Sequence, residues 1–167
     1  QRPHELIASK WRAVNWEQKT LLITVDVSKT KVEHLIPLTD TAYSILQQLK
    51  AASGTGTFIF PKGQAPEATE HARTDSFAKA VTRYINYSNN RKFVPRDIRR
   101  TVKTVMGELG VSKHTRDKLQ NHALQDVSSR HYDRYEYMKE KRAALVLWES
   151  KLTGKSADII ELKSYTY

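Results

Sequence analysis

Cysteine is missing from this chain altogether. No disulfide framework and no thiolate metal site can be built, and nothing indicates secretion. Also missing is any apolar run approaching the length of a membrane span. The opening Gln1-Arg2-Pro3-His4-Glu5 is too polar for a signal peptide. There is no Gly-rich phosphate loop, and His4, His34, His71 and His114 do not have metal-ligand spacing. Glu5, Asp26, Asp97 and Asp126 are scattered among different elements, so the paired acids of a glycosidase or a metal-dependent nuclease are not there. No repeat and no low-complexity segment is visible. Apolar residues make up 39%, fewer than in a typical globular chain but enough for a core. With 167 residues, one domain is the default. The chain opens without a methionine and runs directly into a helix-like segment, as an excised piece of a longer protein would.

What the chain has in surplus is positive charge. Lys and Arg number 28 against 18 Asp and Glu, for a net charge of +10. Such a surplus points to a polyanionic partner, most simply nucleic acid, with plain solubility as the bland alternative. Two stretches concentrate reactive side chains. One is Arg96-Asp97-Ile98-Arg99-Arg100. The other runs from Asn121-His122 to His131-Tyr132-Asp133-Arg134-Tyr135. A phenol, an imidazole and several guanidiniums suit chemistry on a phosphodiester: the phenol as nucleophile, the cations as holders of the phosphate and its growing charge. Taken singly, each residue has a plainer explanation. Arg99, Arg100 and Lys103 form a solvated helix face, His122 is a structural histidine, Tyr132 a core or interface tyrosine, and Lys29 a surface lysine.

Periodicity predicts a mainly helical α+β domain with a small antiparallel sheet. Helical turns are expected over 3–10. Strands are expected at 20–25 and 34–38, joined by a polar hairpin tip at 26–31. Asp40 is placed to cap a helix over 41–52, and Phe58 to Pro61 form a short buried stretch. Residues 62–73 read as loop. Phe77, Val81, Tyr84 and Ile85 mark one amphipathic helix. Another, over 95–109, is expected to bury Ile98, Val102, Val105 or Met106, and Leu109, and to stop at Gly110. On it Arg96, Arg99 and Lys103 share a face. Ser112 is placed to cap a short helix, and Gly110-Val111-Ser112 suggests a weak helix-turn-helix. A last helix is expected over 129–152, followed by a tail over 155–167 with apolar Ile159, Ile160 and Leu162.

Several of these stretches occur together and in order: Arg-Pro-His-Glu-Leu at 2–6, Ser-Lys-Thr-Lys with Ile-Pro-Leu at 28–38, Arg-Asp-Ile-Arg-Arg-Thr at 96–101, Leu-Gln-Asn-His at 119–122 and His-Tyr-Asp-Arg-Tyr at 131–135. As a set they resemble the catalytic domain of tyrosine recombinases, the phage integrase family. Tyr132 to Trp148 is similar to prophage and genomic-island integrases in particular. The resemblance covers nearly the whole of 1–167 and implies that the family's amino-terminal DNA-binding domain is not part of this chain. It implies the first catalytic arginine at Arg2, the hairpin lysine at Lys29, the second arginine at Arg99, the histidine of the Leu-Gly-His box at His122 and the nucleophile at Tyr132. Gln120-Asn121 replace the usual Gly of that box. Arg96 stands where the His-x-x-Arg box has its histidine. Arg100, Lys103 and Lys31 are expected on DNA.

The implied reaction is cleavage and rejoining of double-stranded DNA through a 3′-phosphotyrosyl link, without cofactor or metal. The implied partners are further recombinase protomers, as a tetramer on paired sites, and accessory DNA-bending proteins. No membrane is involved, and the implied location is the bacterial cytoplasm, with the nucleoid. Two other classes compete: a helix-turn-helix regulator without chemistry, and a type IB topoisomerase-like enzyme.

Overall fold

In Thr20-Leu21-Leu22-Ile23 and His34-Leu35-Ile36-Pro37 the side chains alternate between two faces, as strands require. The computed structural model, which describes residues 1–53, 55–63, 68–122 and 136–154, makes them the centre of a three-stranded antiparallel sheet. Its strands are β1 (Val14–Asn15), β2 (Thr20–Ile23) and β3 (His34–Pro37), in that order. Leu21 pairs with Ile36 and Ile23 with His34, which turns Leu21, Ile23 and Ile36 to the core. They pack with Trp11, Val14, Leu38 and Ile59, and α2 (Asp40–Ser53) covers this cluster with Ala42, Tyr43, Leu46 and Leu49. The 24–33 hairpin between β2 and β3 projects from the sheet.

Ahead of the sheet lies α1 (Pro3–Ile7), shorter than expected. After it come α3 (Thr74–Ser88), α4 (Pro95–Glu108), α5 (Lys113–Leu119) and α6 (Met138–Thr153). The turn between α4 and α5 is set by Gly110, whose φ of +82° suits glycine. There Val111 N donates to Met106 O at 2.9 Å and Gly110 N to Gly107 O at 3.1 Å, closing off the last carbonyls of α4. Ser112 then caps α5, its Oγ accepting from Thr115 N at 3.1 Å. A second core joins α4, α5 and α6 through Met106, Leu119 and Ala144, and Leu145 touches both cores. α6 also straps the sheet from outside. Lys141 Nζ donates to Leu35 O at 2.9 Å, Arg142 Nη2 to Gln18 O at 3.1 Å, and Glu149 accepts from Thr41 N at the start of α2.

The mainly helical α+β architecture is as expected, but three further local features differ. The last helix described begins at Met138, and 129–135 of its expected span lie outside the described residues. Tyr137 has a φ of +55°, which no helix interior accommodates, and its ring sits between His114 and Lys118 of α5. Ile98 is 46% exposed and borders a cleft instead of entering the core. Phe77 and Tyr84 are also exposed, leaving Val81 and Ile85 as the buried residues of α3. Phe77, Pro95 and Ile98 line a cleft of about 190 Å³ whose floor is Val102, Met106 and Leu145, with Arg99 at its side. Tyr132 and the 155–167 tail lie outside the described residues.

Candidate active site

The turn at the end of α5, Leu119 to His122, gathers side chains from both ends of the chain. The last carbonyls of a helix have no partner within it and carry the negative end of its dipole. Around this end the carbonyls of Leu119, of the cap residue Gln120 and of Asn121 just beyond it each meet a donor. Leu119 O accepts from Gln1 Nε2 at 2.8 Å and faces His34 Nε2 at 3.1 Å. Gln120 O accepts from Arg99 Nη2, and Gln120 Nε2 returns a bond to Arg99 O at 2.9 Å. Asn121 O accepts from Arg2 Nη2 at 3.5 Å. Two guanidiniums are thus held at one helix end whose field offsets part of their repulsion.

Glu5 offsets more of it. Its carboxylate is fully buried and takes Arg2 Nη1 at 3.0 Å, Arg2 N at 3.3 Å and Lys29 N at 3.2 Å. Burial alone would raise its pKa, but the Lys29 amide and the Arg2 donors outweigh burial and hold it below the usual carboxylate value. Burial, and then the charge of Arg2, pull Arg99 below the ordinary guanidinium value, with Glu5 opposing. Arg99 stays a cation, and its buried Nη1 has no hydrogen-bond partner among the described residues. One arm of its fork is therefore unpaired.

His122 lies on the other side of this turn. Its Nδ1 is 3.2 Å from Asp117 Oδ1 and 3.2 Å from Lys103 Nζ, and Lys103 and Asp117 are themselves paired at 2.5 Å. Burial works against ionisation of Asp117, but bonds from Lys103, Lys113 and His122 outweigh it and hold its pKa at about 2. The imidazole is lowered first by burial and then by Lys103 and Arg99, against the pull of Asp117. A neutral ring has two arrangements here. With its proton on Nδ1 it donates to Asp117. With Nδ1 accepting from Lys103, the proton sits on Nε2 and His122 donates outward without being charged. Removing the cation in Lys103→Met is expected to move the His122 titration to higher pH. Asp117→Asn is expected to move it lower. An imidazole titration followed by NMR checks both signs, and a Lys103→Met curve shifted the other way would refute this electrostatic account.

The structure therefore brings Arg2, Arg99 and His122 around one turn. It places the Lys29 backbone against Glu5, with the Lys29 side chain exposed on the hairpin. Arg96 and Arg100 are exposed on α4, and Arg100 pairs with Asp97 at 3.3 Å. Lys31 is exposed at the hairpin with a φ of +56°. Lys103, expected on DNA, has its ammonium turned to Asp117 and His122. The sequence reading did not single out Glu5, Asp117 or the Asn121 side chain. The one visible signal was Glu5 three residues after Arg2, with Pro3 between, which is the pattern of a helix start.

The chain also has relatives among known proteins. Residues 1–138, which include every one of these side chains, match the phage integrase family. Prophage integrase IntA of Escherichia coli (strain K12) is 24% identical over 157 residues, covering 94% of this chain and 36% of IntA. Prophage integrase IntZ of the same organism is 33% identical over 60 residues, 36% of this chain and 15% of IntZ. This chain thus spans little more than a third of the longer match. No solved structure gives a significant match.

Proposed function

The chain belongs to the phage integrase family, and we propose that it is the catalytic part of a site-specific tyrosine recombinase acting on duplex DNA. The observation that carries this function is the meeting of Arg2, Arg99 and His122 on the turn at the end of α5, although Arg2 and Asn121 are 119 positions apart. Tyr132 Oη attacks the scissile phosphorus, forms a 3′-phosphotyrosyl bond and breaks the bond to the 5′ oxygen. Arg2 and Arg99 hold the nonbridging oxygens, since a guanidinium is always charged and binds two oxygens at once. His122, with Nδ1 accepting from Lys103, adds an Nε2–H donor. Lys29 gives a proton to the departing 5′ oxygen. The phenol proton passes to water or to the phosphate, because the guanidinium of Arg96 cannot accept it. One phosphodiester is exchanged for another, so bond energy is conserved and a second 5′-hydroxyl reverses the step on a new strand. Integration and excision of a prophage or genomic island is the use this chemistry serves. It takes place in the bacterial cytoplasm, on paired sites in a tetramer of protomers, with DNA-bending proteins as accessories.

A suicide duplex carrying the core site, run on a denaturing gel, tests this. A covalent adduct is expected; a regulator using α4 and α5 as a helix-turn-helix gives none, and a topoisomerase-like enzyme relaxes supercoils without joining two sites. The role of Lys29 has its own test. Lys29→Ala is expected to cleave poorly but to recover when the bridging 5′ oxygen is sulfur, because a thiolate leaves without a proton. Arg99→Ala is expected not to recover, its loss being at the nonbridging oxygens. Equal recovery of both variants excludes Lys29 as the acid.

A further inference from the structure

Asn121 is in the left-handed region, with a φ of +48°. Glycine adopts this conformation without strain, and asparagine is among the few other residues that do so routinely. The backbone alone therefore explains a small or Asx-type residue here, but not the use made of the side chain. Asn121 Nδ2 donates to Thr30 Oγ1 at 2.9 Å and to Ser28 Oγ at 3.3 Å, 91 and 93 positions away. Those two hydroxyls lie 3.0 Å from each other and stand on either side of Lys29. Ser28 is 1% exposed, so this is a seated contact and not a surface encounter. Below it, Lys29 N donates to Glu5, and Glu5 holds Arg2. The same Asn121 accepts Arg2 on its carbonyl oxygen and precedes His122 in the chain.

We infer that Asn121 is a positioning residue for Lys29: its side-chain amide latches the 24–33 hairpin onto the turn that carries His122. The lysine is the one proposed catalytic group here that stands on a projecting hairpin. Inside that hairpin the backbone is tied only by short turns, Val27 N and Ser28 N to Thr24 O and Lys31 N to Ser28 O. Without an outside tether such a loop samples many positions, and a general acid loses efficiency when its distance to the leaving oxygen is not fixed. Asn121 and Glu5 supply two tethers, Asn121 through the hydroxyls on both sides of Lys29 and Glu5 through the Lys29 amide. The inference rests on the recombinase function proposed above.

Asn121→Gly keeps the backbone conformation and removes the amide. Hydrogen exchange of the chain, followed over 24–33, is expected to speed up in this variant while α4 and α6 are unaffected. Single-turnover cleavage by the full-length recombinase, on a nicked suicide duplex of its core site, is expected to slow about tenfold, the scale of one lost hydrogen bond. On the same duplex with a bridging 5′ sulfur the rate is expected to match the parent, since the step that needs Lys29 is bypassed. Ser28→Ala with Thr30→Val removes the acceptors and leaves the turn intact. It should reproduce both effects, and should add little when combined with Asn121→Gly. Unchanged exchange in the hairpin, or equal slowing on the oxygen and sulfur substrates, overturns the latch. A loosened hairpin with normal cleavage shows that the contact exists but does not position Lys29. If the parent forms no adduct at all, the recombinase function fails, while the exchange measurement still reports on the contact.

Discussion

Replacing Tyr132 with phenylalanine is expected to abolish the covalent protein–DNA adduct and to leave DNA binding within a few-fold. The change removes one oxygen and leaves the ring, so packing and charge are preserved. A phenol suits this role because its oxygen forms a stable phosphodiester that a strand 5′-hydroxyl can later attack. Tyr135 is the nearest rival, three positions on and able to stand on the same side of a helix. Tyr132 is preferred because His131-Tyr132-Asp133-Arg134 resembles the family's nucleophile box. The check is a denaturing gel of both single variants on a suicide duplex, with binding measured separately at one fixed salt concentration. An adduct that persists in Tyr132→Phe and vanishes in Tyr135→Phe would show that the wrong phenol was chosen.

The sheet and α3 to α5 were legible because local signals agreed there. β-branched and apolar alternation, the glycine at the end of α4 and the Ser112 cap all pointed one way. The start of α6 was not legible, because helical spacing continues through Tyr137 and only the packing of its ring on His114 and Lys118 reveals the break. Ile98 misled for a similar reason: periodicity gives the apolar face of α4 but not which of its residues the neighbours cover. In the site, the cations were legible as ordered motifs, through the resemblance they carry. What holds them was not. Glu5, Asp117 and Asn121 are ordinary residues in sequence, and their roles depend on partners contributed by other elements. Lys103 shows the same limit, since its pairing with Asp117 cannot be read from a basic helix face.

Arg99→Ala is expected to lower cleavage by about 3 kcal/mol, on the order of a hundredfold to a thousandfold, by analogy with a removed oxyanion donor. Its neighbour on the same face, Arg96, is expected to matter less. Arg99 is half-buried, bonded to Gln120 O and reciprocated by Gln120 Nε2. Arg96 is exposed one turn earlier on α4. A charge in water is screened and holds no fixed geometry, whereas a half-buried, braced guanidinium acts at lower dielectric and needs no reorganisation when phosphate charge develops. The family's histidine at the Arg96 position can exchange a proton near neutral pH; an arginine, with a pKa above ~12, cannot. Arg96 therefore contributes charge alone, to the phosphate or to flanking DNA. Arg96→Lys is expected to keep much of the rate, and Arg96→Ala to lose less than Arg99→Ala. Arg96→His should remain active and add an ionisation near the ordinary imidazole pKa of about 6.5. Arg99→Lys should fall well below the parent, because one ammonium cannot serve both Gln120 O and a phosphate in the guanidinium's planar fork. Single-turnover cleavage of a suicide duplex by these variants across pH is the measurement. If Arg96→Ala and Arg96→Lys are both as inactive as Arg99→Ala, then guanidinium geometry at position 96 is essential and the assignment of Arg96 to a purely electrostatic role is wrong.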